Sequence, residues 1–169
     1  MATPEEKLRS MGLALPAAPK PVGAYAPAVR TGNLVFVSGQ LPTKDGELMV
    51  KGRVGGPSTT LGAALSLSKG GEVTVEEAQD CARQAALNAL AAVAAEIGGL
   101  RNVARIVRVT GYVASAPGFT EQAKVLNAAS ELLAEVFGEA GRHSRAAVGA
   151  AELPLGAPVE LEMIVEVRG

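Results

Sequence analysis

The sequence predicts an α+β fold, one mixed sheet with two helices on one face, and three observations carry that reading. Short apolar, β-branched runs occur at Leu34–Gln40, at Arg105–Ser115 and on either side of Leu153-Pro154. Two longer stretches, Thr74–Ile97 and Pro117–Phe137, repeat apolar residues every three or four positions. The two kinds succeed each other as strand, strand, helix, strand, helix, strand, strand, the order of a layered α+β arrangement. One sheet with two helices on one side leaves a second face to cover, and association between copies of the chain is the expected cover.

Each element has a local reason. Thr3-Pro4-Glu5-Glu6 supplies a hydroxyl cap, a proline at the first helical position and an acid three places after the cap. Leu8 and Met11 can dock this short helix and Gly12 ends it. Pro16, Pro19 and Pro21 then forbid a helix, so residues 1–20 are expected as a helix followed by an extended arm. Tyr25–Arg30 and Leu34–Gln40 read as a hairpin turning at Thr31-Gly32-Asn33. Residues 44–73 carry seven glycines and are the least regular part; residues 58–72 are expected as an exposed insert.

Thr74-Val75-Glu76-Glu77 repeats the capping pattern and opens the first long helix. Its apolar face is Ala78, Ala82, Ala86, Leu90, Val93 and Ile97, and Gly98-Gly99 stops it. Cys81 and Asn88 flank that face and read as packing residues. The second helix places Phe119, Ala123, Leu126, Ser130, Leu133 and Phe137 on one stripe and ends at Gly138. Asn127 sits beside the stripe, where an amide needs partners from a loop or from a ligand.

Composition excludes several function classes. The 169 residues carry a net charge of −1 and no Lys/Arg cluster, so the basic footprint of a nucleic-acid binder is missing. A single cysteine rules out a disulfide framework within one chain. One cysteine with one histidine is a thin donor set for a zinc site, so a zinc centre built within one chain is not expected. No apolar run reaches membrane-spanning length, and Glu5, Glu6, Lys7 and Arg9 stand where a secretion signal needs an apolar core. The expected setting is cytoplasmic, with no membrane partner.

The chemistry concentrates in RHSRAAVGAAELPLGAPVELE, residues 142–162, where Arg145 lies on one strand and Glu160 on the next. Burying either charge is expensive without a partner. Two readings stand: an ordinary ion pair on an edge strand, or a guanidinium and a carboxylate kept for a small anionic ligand. Ser38, at the end of LVFVSGQ, is either a satisfied hydroxyl beside a glycine bulge or a site residue at a strand end.

Taken in order, VGAYAPAV, GNLVFVSGQLP, the alanine-rich helix ending IGGL, VLNAASELLAEVFG and RHSRAAVGAAELPLGAPVELE resemble the RidA (YjgF) family from Pro21 to Val167. The resemblance implies a single domain over residues 1–169, a chorismate-mutase-like fold and a barrel-like homotrimer with clefts between subunits. It implies hydrolysis of reactive 2-imino acids, or their enamines, to 2-keto acids and ammonia, without a cofactor. Carried over by position, it puts the substrate's carboxylate on Arg145 and the hydrolytic water on Glu160, with Tyr25, Ser38 and Asn127 lining the cleft. Ala147 stands where archetypal members have a cysteine, and Arg142-His143 precedes the arginine, so the chain resembles a non-archetypal branch. That departure keeps a second function open, a trimeric binding or regulatory protein for small carboxylates without turnover. RNA cleavage, an activity often attached to the family, is disfavoured by the charge.

Overall fold

A computed structural model of the chain describes residues 2–18, 23–55 and 72–169. The elements are α1 (Pro4–Ser10), β1 (Ala28–Thr31), β2 (Leu34–Gln40), β3 (Thr43–Lys44), β4 (Glu47–Leu48), α2 (Val75–Ile97), β5 (Val103–Ala114), α3 (Gln122–Phe137), β6 (Ser144–Ala150) and β7 (Val159–Val167). Both predicted capping boxes form. The Thr3 hydroxyl accepts from the Glu6 N–H at 3.2 Å while the Glu6 carboxylate accepts from the Thr3 N–H at 2.7 Å. Thr74 and Glu77 repeat the exchange at 3.1 and 2.8 Å. Gly98, with φ +74°, then closes α2 in the left-handed conformation that only glycine adopts without cost.

The main sheet runs β1-β2-β7-β5-β6. Only β5 and β6 pair in parallel, because α3 carries the chain back between them; the other neighbours are antiparallel. The strand after β6 does not return beside it. The Leu153-Pro154 segment takes the chain past β5, so β7 pairs with β2 and β5 and leaves β6 on the edge. Helix α2 packs on β2 and β7, α3 on β5 and β6, and the two helices pack on each other. Their shared core is the predicted alanine, valine and leucine one.

Several boundaries and faces differ from expectation, each for a physical reason. The first strand begins at Ala28 rather than Tyr25, since Pro27 has no N–H to give the ladder. Helix α3 begins at Gln122, so Phe119 precedes it; Pro117-Gly118, with Gly118 at φ +85°, turns the chain first. Helix α2 buries Cys81, Ala85, Leu87, Asn88 and Ala89 besides the expected stripe, because both sheet and α3 close on it. Asn88 donates to the carbonyls of Leu41 and Thr43 at 2.8 and 3.0 Å, fixing the chain just after β2. A two-stranded hairpin, β3–β4, follows that segment and adds to the single sheet expected. The expected insert falls on residues 58–72, of which 58–71 lie outside the described residues.

Among the described residues no helix covers the other sheet face. Burial along β7 alternates strictly: Val159, Leu161, Met163, Val165 and Val167 lie under the helices, and Glu160, Glu162, Ile164 and Glu166 point the other way. On that open face Val29 (54% exposed), Phe36 (44%) and Val148 (45%) remain accessible. Val29, Phe36, Arg108, Thr110, Glu162 and Ile164 help line a groove of about 270 Å³ on it.

Candidate functional site

The predicted residues fall into two groups on opposite faces of the sheet. The register sets Arg145 beside Val109 and Glu160 beside Tyr112. Val109 is fully buried under the helices, whereas Glu160 belongs to the open face. Strand β5 therefore separates the arginine from the carboxylate, and the ion pair considered from sequence does not form within the chain.

The first group lies in the seam between β6 and α3. Asn127, together with Ser130 one turn later, presents polar atoms toward the edge strand. Arg145 is half-buried there. Its Nη1 donates to Asn127 Oδ1 and to Ser130 Oγ, both at 3.0 Å, and its Nη2 donates to the Ala123 carbonyl at 3.3 Å. All three acceptors are neutral, and no carboxylate among the described residues pairs with it. A guanidinium has five N–H donors, so the two left over sit on Nε and Nη2, adjacent nitrogens suited to the two oxygens of a carboxylate. Ala147 lies two residues along on the same face, paired with Gly111.

His143 completes the seam. Its Nε2 lies 3.0 Å from Ser130 Oγ and its Nδ1 2.6 Å from the Gly141 carbonyl. Burial holds the imidazole's pKa below its ordinary value; the Gly141 hydrogen bond opposes that shift and the Arg145 charge adds to it.

The second group surrounds an irregularity between β2 and β7. Val37 pairs with Met163 and Gln40 with Leu161, so three steps along β2 match two along β7 and the extra residue bulges at Ser38-Gly39. Glu160 folds over this bulge. A Cβ at Gly39 would collide with its carboxylate, so the glycine leaves the room that this side-chain pose occupies. Among the described residues the Glu160 side chain has neither a hydrogen bond nor an ion pair. Burial, and then the neighbouring Glu162, raises its pKa above the usual carboxylate range.

The Ser38 hydroxyl donates to the Ala26 carbonyl at 2.7 Å, so it can offer a ligand only its lone pairs. Tyr25, the residue before Ala26, stands 49% exposed at the mouth of the hairpin. The residues named from the sequence are divided between these two groups, and Ser130 and His143 join the first only through the hydrogen bonds of the fold. Ser130 shares its helix stripe with apolar residues, and a hydroxyl there, three residues from an asparagine, is the signal that the sequence carries.

Other features lie apart from these groups. A larger cavity of about 490 Å³ is lined by Lys51, Arg53, Pro117, Glu152 and neighbours and includes none of the predicted site residues; Arg53 and Glu152 pair with each other there. Cys81 is fully buried, its thiol pushed up to about 12 by burial and then by Asp80 and Glu77, a poor nucleophile. No group of three or more His, Cys, Asp or Glu among the described residues is placed to hold a metal ion, and no described helix is long and apolar enough to cross a membrane.

Comparison with known proteins places these residues in context. The model of the family described as "YjgF/chorismate_mutase-like, putative endoribonuclease" matches residues 5–167. Protein TCP17 of Trypanosoma cruzi is 44% identical over 163 residues, covering 95% of this chain and 92% of that protein. A crystal structure described as a "putative endoribonuclease" from Shewanella oneidensis superposes with a TM-score of 0.84 at 32% identity, covering 98% of this chain and all of that one. More distantly, a 2-iminobutanoate/2-iminopropanoate deaminase of Dermatophagoides farinae is 29% identical over 156 residues, 92% of this chain and 95% of the relative.

Proposed function

This chain belongs to the YjgF/chorismate mutase-like family, and from that membership we propose that it hydrolyses reactive 2-imino acids, or the enamines that precede them, to 2-keto acids and ammonia. The observation that carries the reading is the Arg145 guanidinium: half-buried, oriented by three neutral acceptors, and keeping two N–H donors on adjacent nitrogens with no carboxylate against them. A cation built this way is a receptor for a small acid. The likeness to the named deaminase supplies the reaction class.

The substrate carboxylate takes the two donors on Nε and Nη2, which sets the imine carbon at a fixed place. Water adds to that carbon; Glu160 orients the water and accepts its proton. Glu160 returns that proton to the nitrogen, and the resulting carbinolamine passes its hydroxyl proton to nitrogen and expels ammonia as the C–N bond breaks and the C–O bond becomes a carbonyl. An enamine first takes a proton at carbon to become the imine. The imine is already electrophilic, so positioning supplies most of the acceleration. Glu160, with a raised pKa and no partner, suits a base working near neutrality better than a solvated carboxylate would.

Arg145 and Glu160 face opposite sides of one sheet, so the site we propose is shared: the seam of one copy meets the bulge of the next in a homotrimer, with Tyr25, Ser38, Asn127 and Ala147 around the substrate. The uncovered sheet face supports such association. Ammonia-linked turnover of imines generated in situ from several amino acids tests the proposal. Turnover in the natural chain and its loss in Arg145→Ala are expected; undiminished turnover in the variant sinks the assignment.

A binding or regulatory role without turnover is the second reading, favoured by Ala147 in the family's cysteine position. Binding of 2-keto acids with hydrolysis of none of the imines decides for it. The endoribonuclease description given to structural relatives gains no support from a chain of net charge −1.

A further inference from the structure

Arg145, Ser130, His143 and Gly141 form a hydrogen-bond chain whose direction is fixed at both ends. The guanidinium can only donate and the Gly141 carbonyl can only accept. With 2.6 Å between His143 Nδ1 and that carbonyl, the ring proton belongs on Nδ1. In the neutral ring Nε2 is then the acceptor, and its partner at 3.0 Å, Ser130 Oγ, must spend its single proton there. The serine's lone pairs are thereby turned to Arg145 Nη1, also 3.0 Å away.

We infer that Ser130 and His143 are positioning residues for Arg145, which through this directed chain hold Nη1 and so aim the remaining Nε and Nη2 donors at the ligand. The inference rests on the site proposed above and extends it to two residues that never touch substrate. Three further observations support it. The ring is half-buried and its pKa is held below the ordinary value, which keeps it in the neutral form the chain needs. Gly141 is itself buried against α3, where a Cβ would run into the Leu133 carbonyl, so the loop bearing the last acceptor is clamped to the helix bearing Ser130. Asn127 takes the other Nη1 hydrogen at 3.0 Å, leaving that nitrogen wholly committed to the frame.

Because His143 is the sole histidine in the sequence, its ring nitrogens can be observed without ambiguity. Nitrogen-15 NMR of the natural chain near neutral pH should show a neutral ring protonated at Nδ1; a ring protonated at Nε2 overturns the inference whether or not any variant folds. Calorimetric titration with 2-oxobutanoate and steady-state imine turnover then follow the variants. Ser130→Ala and His143→Leu should raise both Kd and KM about tenfold while changing kcat by less than about threefold. His143→Gln, whose amide oxygen can accept from Ser130, should return both constants to within about threefold of the natural chain. If Ser130→Ala and His143→Leu match the natural chain while Arg145→Ala loses the keto acid, the positioning inference fails and the site stands. Equal loss in His143→Leu and His143→Gln reduces His143 to a packing role and also overturns it. If Arg145→Ala binds as tightly as the natural chain, the site reading itself is lost.

Discussion

The seam and the bulge treat their charges in opposite ways. In the seam, the Arg145 cation is surrounded by neutral oxygen acceptors that fix its orientation without cancelling its charge. In the bulge, the Glu160 carboxylate lies over a glycine with no hydrogen bond among the described residues, and burial, then the neighbouring Glu162, raises its pKa. Arginine stays charged whatever surrounds it, so the fold need only aim it. A carboxylate's basicity depends on its surroundings, so partial burial without a partner tunes it. The contrast fits a binding group and a proton-handling group, and each can be attacked separately.

The largest expected effect comes from the seam. Arg145→Ala should cost about 2–5 kcal/mol in kcat/KM, since it removes a charged contact made with two donors. Its thermal midpoint should stay near that of the natural chain, because the residue sits on an edge strand that has no fully buried residue. Steady-state kinetics and a melting curve check both halves. On the bulge side, Glu160→Gln keeps the shape and removes the base, so kcat should fall about a hundredfold while 2-keto acid affinity holds. A matching loss of affinity would merge two roles that the geometry separates.

Gly39→Ala sharpens the contrast further. The added methyl meets the end of the Glu160 side chain, which can swing away, so the protein should fold and kcat should drop about tenfold with KM little changed. An unaltered kcat would mean that the carboxylate's resting place over the bulge is irrelevant to turnover.

Much of this was legible in the sequence, and the misses share a cause. Capping boxes at Thr3 and Thr74 and the apolar periodicity of α2 are local signals that located α1 and α2 closely; the stripe read for α3 starts at Phe119, before the helix, and shares only Leu126 and Leu133 with the face that α3 buries. The S-G-Q end of β2 allows a glycine bulge as one of two readings, and the structure has an irregularity there. What local signals do not carry is topology. Arg145 and Glu160 sit on successive strands, yet β5 lies between those strands, and the register through β5 puts the two side chains on opposite faces. Likewise Ser130 looked like one more member of an apolar stripe, because only the docked edge strand reveals that its hydroxyl bridges Arg145 and His143.

The smallest expected effect concerns stability and again separates the halves. The folded chain raises the Glu160 pKa above its ordinary value of 4.5, so the folded state holds that proton more tightly than the unfolded state. Stability is therefore lost as pH climbs from the ordinary value through the raised one, and ionised Glu160 is a net cost at neutral pH. Glu160→Gln should raise the melting midpoint by on the order of 2 °C at neutral pH, with the gain disappearing toward pH 4. A variant destabilised at neutral pH would show that the carboxylate has a stabilising partner.

The claim on which the account turns is that the arginine of one copy works with the carboxylate of another, and mixing the two disabled chains tests it most directly. Arg145→Ala and Glu160→Gln chains, each nearly inactive alone, are co-refolded in equal amounts so that assemblies contain both. If neighbouring copies share the site, about a quarter of the junctions bring an intact arginine to an intact carboxylate, and about a quarter of the natural activity returns. If each chain works alone, the mixture stays as inactive as its components.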